Sequence, residues 1–381
     1  AGIDRHGAVL AAQTKEWRSI IRLYSTWIRD NIENGSESRT IRDCFITGKG
    51  SARIRKKLLR YWLGKAGIRC SDVFINGQFY LRENRETGLS GLTYFPNILS
   101  VVPGPRDESG YWLHISNNYH FSDTACIEGD YMGAAAVFER EGMLVSGRVK
   151  EIKNDLLNSE YYVTFTIEQT GDSAVEAEGY MFGSLAAKLR KTIRDPQKKK
   201  KILEALAKKL LPRINPDENR FENIQDLSKP AVHRLSGRIP GFAGTENESL
   251  SFNPFYHEIE CGSLVGKKDR THDFILNSPK FERYTAEYIL PQGFALCDVP
   301  ERCFFSSRYG ICIIDVRLKG NCLRTAVSLA LPSMRIPPHS YAEFTDFIKA
   351  VKTHLEQKAV LRPYRRQEES ETMEAFLPIR E

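Results

Sequence analysis

Apolar positions recur at helical spacing near the start of the chain. In residues 14–32 (TKEWRSIIRLYSTWIRDNI), Trp17, Ile20, Ile21, Tyr24 and Ile28 share one face with charges between them, which predicts an amphipathic helix. The polar run after Gly35 ends it. A second helix is predicted over 51–65, with Ser51 as N-cap and a stripe of Ile54, Leu58, Leu59 and Trp62 closing at Gly67. The period then drops to two. Strand-like runs follow at Val73–Ile75, Phe79–Leu81, Ile98–Val102 and Tyr111–Ile115, so helices followed by a meander predict an α+β domain closing near residue 130. Further strands are predicted at Ala135–Phe138, Met143–Lys150 and Tyr161–Gln169. A helical insertion occupies 184–211, with Leu185, Leu189 and Ile193 on one side. Strand patterning returns at Tyr284–Leu290, Phe304–Val316 and Leu323–Leu329, and a last helix is expected over 340–355.

At 381 residues, the chain has length for two or three cores. With 41% hydrophobic and 27% charged residues, it has the composition of a folded protein. No apolar run reaches the ~18 residues of a membrane span, and the first 20 residues do not form a signal peptide. The expected organisation is a core over 1–130, a β-rich domain over 131–250 carrying the insertion 184–211, a C-terminal β domain with its helix over 251–365, and a charged tail over 366–381.

Net charge narrows the list of partners. Residues 186–213 hold eleven Lys or Arg against Asp195 and Glu204, a net +9, so the other 353 residues sum to −2. The candidate basic patch is Lys188, Arg190, Lys191, Lys198, Lys199, Lys200, Lys201, Lys208 and Lys209. No aromatic residue interleaves with these lysines, so the pattern favours a solvated helix face over a nucleic-acid platform; binding of an anionic polymer or lipid through 188–209 is the lesser reading. A smaller basic cluster, Arg53, Arg55, Lys56, Lys57 and Arg60, lies on the helix after Ser51. The eight cysteines (44, 70, 126, 261, 297, 303, 312 and 322) contain no C-x-x-C pair, and the histidines do not sit at zinc-ligand spacing from them. No metal or cofactor is expected. One or two bridges within 297–322 remain open, beside the plainer reading of these cysteines as buried apolar residues.

The most informative pattern spans Thr47–Ile75: TGKGSARIRKKLLRYWLGKAGIRCSDVFI is a Gly-rich turn, a helix start, a leucine-rich helix and a strand. It resembles the nucleophile segment of the transglutaminase-like superfamily, whose papain-type core places cysteine at that turn. A helix N-terminus lowers a thiol pKa and offers amides to an oxyanion. FPNILSVVP (95–103) resembles the family strand that carries the base, and YWLHIS (111–116) the strand that carries the orienting carboxylate. Residues 223–241 and 281–361 resemble the C-terminal β domains of large bacterial members, most clearly in LPQGFALCDVPE, SRYG and LPSMRIPPHSYAEFTDFIKAV. The resemblance implies a papain-like transglutaminase core followed by β-sandwich-like domains.

Carried over position by position, the resemblance puts the family's cysteine at Ala52, its histidine at Asn97 and its aspartate at His114, with Ile54 in place of the acidic residue after the cysteine. Ala52 has no nucleophile, Asn97 is no base near neutral pH, and His114 cannot stabilise an imidazolium as a carboxylate does. The expectation is therefore a pseudoenzyme, a protein- or ligand-binding or scaffolding module of a bacterial envelope protein. The alternative is a peptidase or acyl-transfer enzyme using rearranged residues, with Ser51 as nucleophile and His114 as base, or with Cys44 moved into the site. Ser51, Trp112, Tyr119 and His120 are the candidates to line a remaining cleft, beside Asn97 and His114. Family habit implies an extracytoplasmic location and a protein or peptide partner.

Overall fold

The computed structural model describes residues 2–35, 38–75, 98–102, 111–114, 135–140, 143–148, 158–193, 195–226, 229–255, 270–276, 279–332 and 334–364. The fold is α+β. Four helices open it: α1 (Gly2–Ala11), α2 (Trp17–Asn31), α3 (Ile41–Thr47) and α4 (Ala52–Lys65). The α2 stripe of Ile20, Ile21, Tyr24 and Ile28 is buried against the α4 stripe of Leu58, Leu59, Trp62 and Leu63. Each such side chain contributes roughly 1.5–3 kcal/mol of burial. Trp62 is the centre of this core, with Trp27, Tyr24 and Phe45 around it. Neither α1 nor α3 was expected from the pattern. A Cβ on Gly7 of α1 would lie 2.7 Å from the Trp62 ring, so the helix reaches its seat only because that position is glycine. Tyr24 donates to the Gly7 carbonyl at 3.0 Å and Trp62 to the Ile3 carbonyl at 3.1 Å.

Two short strands, β1 (Glu33–Asn34) and β2 (Lys49–Gly50), pair in parallel and lead into α4. A five-stranded antiparallel sheet follows, ordered β5-β4-β3-β6-β7: β3 (Arg69–Ile75), β4 (Ile98–Val102), β5 (Tyr111–His114), β6 (Ala135–Arg140) and β7 (Met143–Arg148). Because β6 pairs directly with β3, the first sheet runs through residue 148, and the boundary expected near 130 falls inside it.

The main sheet has eight strands, ordered β10-β11-β9-β8-β15-β19-β18-β17. They are β8 (Ser159–Ile167), β9 (Ser173–Met181), β10 (Asn215–Glu222), β11 (Ala231–Ile239), β15 (Lys280–Ile289), β17 (Cys303–Ser307), β18 (Gly310–Lys319) and β19 (Cys322–Leu331). A boundary at 250/251 does not separate them into two sheets, since β8 pairs in parallel with β15 across that point. The run Phe304–Val316, expected as one strand, is the β17–β18 hairpin. Its turn is set by Gly310 and by Tyr309 N–H donating to Ser307 Oγ at 3.1 Å. The insertion is two helices, α5 (Gly183–Thr192) and α6 (Pro196–Leu210). The break is dictated by Asp195, whose carboxylate caps α6 by accepting from Gln197 N–H at 2.9 Å, with Pro196 at the first helical position.

A four-stranded sheet, β12-β13-β21-β16, comprises β12 (Gly244–Glu246), β13 (Ser249–Phe252), β16 (Phe294–Asp298) and β21 (Ala359–Pro363). It shares a core with the inner face of the main sheet, through Phe165, Tyr288, Phe252 and Leu361. The rest of that face is covered by α7 (Tyr341–Leu355), with Phe344, Ile348 and Val351 in one cluster with Cys312, Ile314 and Leu329. A two-stranded ribbon of β14 (Phe274–Leu276) and β20 (Met334–Ile336) lies beside it. The bridges left open in 297–322 do not form: Cys297, Cys303, Cys312 and Cys322 are not disulfide-bonded. The register explains this, because Cys303 lies opposite Ile314, Cys312 opposite Phe305 and Leu329, and Cys322 opposite Ile289 and Lys319.

Candidate functional site

The turn between α3 and α4 is built from backbone requirements. Gly48 ends α3 in the left-handed conformation (φ 66°), its N–H donating to the Cys44 carbonyl at 3.1 Å. The β2 residue Gly50 is in contact with Cys44, and a Cβ there would stand 2.4 Å from the sulfur. Ser51 then caps α4, its hydroxyl accepting from Ile54 N–H at 3.4 Å. Ala52 is the first helical residue and presents only a methyl group. Replacing Ser51 by Ala is expected to cost about 1 kcal/mol of helix stability, read by urea titration of tryptophan fluorescence; a cost near zero would remove the capping role.

Beneath the turn, Cys44 is 0% exposed, and burial pushes its thiol pKa up, with the Arg55 charge opposing this only in part. The Cys70 thiol is also raised by burial. Arg55 is itself buried, its guanidinium 3.4 Å from Asn34 Oδ1 and its pKa lowered by burial. So Arg55 is not part of an exposed basic cluster. Lys56 and Arg60 are engaged by Asp72 of β3 at 2.8 and 3.1 Å, and Arg53, Lys57 and Arg60 are exposed.

His114 is the last residue of β5, and its backbone pairs with Ile98 of β4, while Trp112 pairs with Ser100. Asn97, Tyr119 and His120 lie outside the described residues. Among the described residues, no three His, Cys, Asp or Glu side chains converge as metal ligands.

Arg190 leaves the basic patch. It is 5% exposed, and its Nη2 donates to the carbonyls of Asn223, Asp226 and Lys229 at 3.1, 3.0 and 2.7 Å. Its position between Ala186 and Ile193, at helical spacing on the α5 apolar stripe, is the sequence signal for this burial. The other eight members, Lys188, Lys191, Lys198, Lys199, Lys200, Lys201, Lys208 and Lys209, are exposed. Lys198 lies 3.8 Å from the Asp195 carboxylate.

A small cleft opens where the two cores beneath the main sheet meet. Its wall includes Val163, Phe165, Leu210, Phe255 and Val327. The hydroxyls of Tyr288 and Thr325 are spent on the Pro254 carbonyl, at 2.8 and 2.9 Å. Among the described residues, the lining contains no carboxylate, thiol or imidazole.

Residues 248–361 match a family described as a domain of unknown function with solved structure (DUF3858). No curated protein matches the chain. A crystal structure of a candidate protease from Parabacteroides distasonis superposes with a TM-score of 0.53 at 10% identity, covering 94% of this chain and 55% of that one. The chain thus spans about half the length of that structure, and the likeness is one of fold. No helix among the described residues is long and apolar enough to cross a membrane.

Proposed function

We propose that this chain is a catalytically inactive member of the transglutaminase-like class, serving as a protein- or peptide-binding module outside the cytoplasm. The observation that carries the reading is the state of the helix N-terminus at which that class holds its nucleophile. Ala52 stands at the first helical position, the Ser51 hydroxyl is engaged as the cap, and the nearby thiol of Cys44 is fully buried with a raised pKa. A buried, protonated thiol does not attack an acyl group. The resemblance of 95–103 and 111–116 to the strands of the other two catalytic positions supports the same reading, with Asn97 and His114 standing there.

The test is a pair of assays on the native protein: hydrolysis of labelled casein and incorporation of a fluorescent amine, alongside labelling with an iodoacetamide probe. Neither activity is expected, and Cys44 is expected to remain unlabelled until the chain is unfolded. Turnover abolished by Ser51→Ala or by His114→Ala would overturn the proposal. It would favour instead the acyl-transfer or peptidase reading, to which the likeness with the candidate protease lends support.

A further inference from the structure

The two edges of the eight-stranded sheet are unlike. At one edge, β10 (NPDENRFE) bears alternating charges, with Arg220 paired to Glu218 and Glu222, and its register shifts between Pro216 and Glu218. Charge and a bulge are the usual protection of a free edge. At the other edge, β17 (CFFSS) has neither, and among the described residues it pairs only with β18. Its outward side chain Phe304 is 62% exposed and lies opposite Ile313 of β18, 49% exposed, with Ile311 (41%) two residues along. Its inward side chains, Cys303 and Phe305, are only partly covered by the α7 cluster. A strand apolar on both faces reads as an interior strand. The rest of the outer face is crossed by the Arg283–Glu160 and Arg324–Glu287 pairs at 3.6 and 3.7 Å, with Tyr162 and Ile289 less exposed than Phe304 among them.

We propose that β17 is the seam of a homodimer, in which two copies join edge to edge and antiparallel with Phe304 on the two-fold axis. An edge unpaired among the described residues calls for a strand, and a two-fold pairing of like surfaces is the commonest way to supply one. Side-chain alternation restricts an antiparallel copy to registers that match outward with outward residues. An axis at Phe305 places Arg302 opposite Arg308 of the partner subunit, a like-charge pair. An axis at Phe304 places it opposite the partner's Ser306, and sets Phe304 against itself. The outer row then reads Ile313, Phe304, the partner's Phe304 and the partner's Ile313, while Cys303 and Phe305 cover their counterparts on the inner face. Aromatic pairs directly opposite across strands are favourable. A five-residue seam covers less than the ~1,600 Å² of a standard interface, so the association is weak and reversible, in the micromolar range.

Sedimentation velocity of the whole chain over increasing concentration is expected to show a reversible monomer–dimer equilibrium. Phe304→Glu is expected to raise the dissociation constant at least ~10-fold while leaving the melting temperature unchanged. Phe304→Cys, oxidised with oxidised glutathione, is expected to yield a covalent dimer that the wild type does not form, because opposed residues in such a pair lie ~4.5–5.5 Å apart. A wild-type chain that stays monomeric at every concentration overturns the proposal. So does a dimer that Phe304→Glu leaves intact, and a dimer that Phe304→Cys does not cross-link overturns the register.

Discussion

Replacing Arg190 by Ala is expected to destabilise the β-rich body by about 2–3 kcal/mol, the scale for removing a charged donor from buried acceptors. Its guanidinium replaces water for three carbonyls of the segment joining β10 to β11, those of Asn223, Asp226 and Lys229. Asn223 there adopts a left-handed conformation (φ 57°), outside helix and strand geometry. Burial lowers the Arg190 pKa, Asp226 offsets this in part, and Arg29 of α2 adds to it. The variant therefore gains a little from the lost desolvation and the lost repulsion, but it leaves three carbonyls without their donor. Arg190→Met keeps the volume and loses the same hydrogen bonds, so it is expected to fall in the same range as the alanine variant. The four tryptophans (17, 27, 62 and 112) all lie in the first third of the chain. Urea unfolding followed by tryptophan fluorescence thus reports the opening helices and the first sheet, which holds Trp112 on β5, whereas the β-sheet circular dichroism signal is weighted toward the affected body. A shift below ~1 kcal/mol in the second signal, the level of an ordinary surface hydrogen bond, would refute the anchoring role.

Legibility in the sequence followed the range of the interactions involved. The α2 and α4 stripes, the Ser51 cap and the strands at 98, 111, 135 and 161 are local patterns, and they stand where the periodicity put them. The partnering of β8 with β15 is not local: two strands far apart in the chain pair in parallel, and no turn chemistry between them announces it. Buried arginines were hidden for another reason. Arg55 lies at helical spacing with Leu58, Leu59 and Trp62, and Arg190 with Ala186 and Ile193, so each occupies an apolar stripe with a residue that pattern reading scores as solvent-facing. The α3–α4 turn combined both limits. Its glycines were visible as punctuation, but the fit of Gly50 against the Cys44 sulfur is a tertiary contact, and that contact is what takes Cys44 out of solvent.

Acidification from pH 7 to pH 4 is expected to withdraw about 3 kcal/mol of stability through one residue, His233. It is 1% exposed on the inner face of β11, and burial alone lowers its pKa from 6.5 to about 4. The hydrogen bonds fix its tautomer. Asn219 donates through Nδ2 to the Leu203 carbonyl at 3.1 Å, which turns Oδ1 toward His233 Nε2 at 2.8 Å, so Nε2 carries the proton. Nδ1 is buried with no hydrogen-bond partner among the described residues, and the Phe221 ring lies 5.5 Å from the imidazole. A second proton would therefore enter at an atom that no acceptor meets. The unfolded chain takes up that proton below about pH 6.5, whereas the folded chain resists it until about pH 4. The penalty is thus absent above 6.5, grows as pH falls through that window and is level below 4. Carboxylates titrate in the lower part of the same window, so the measurement is a difference. The pH dependence of the urea midpoint is compared for the wild type and His233→Gln, which keeps an amide donor for Asn219 Oδ1 and has no charge to gain. The variant is expected to lose the His233 share of the slope while matching or falling somewhat below the wild type at pH 7. Parallel pH profiles for the two proteins would show that the imidazole is neutralised some other way, and that the Asn219–Leu203 link between β10 and α6 does not depend on its protonation.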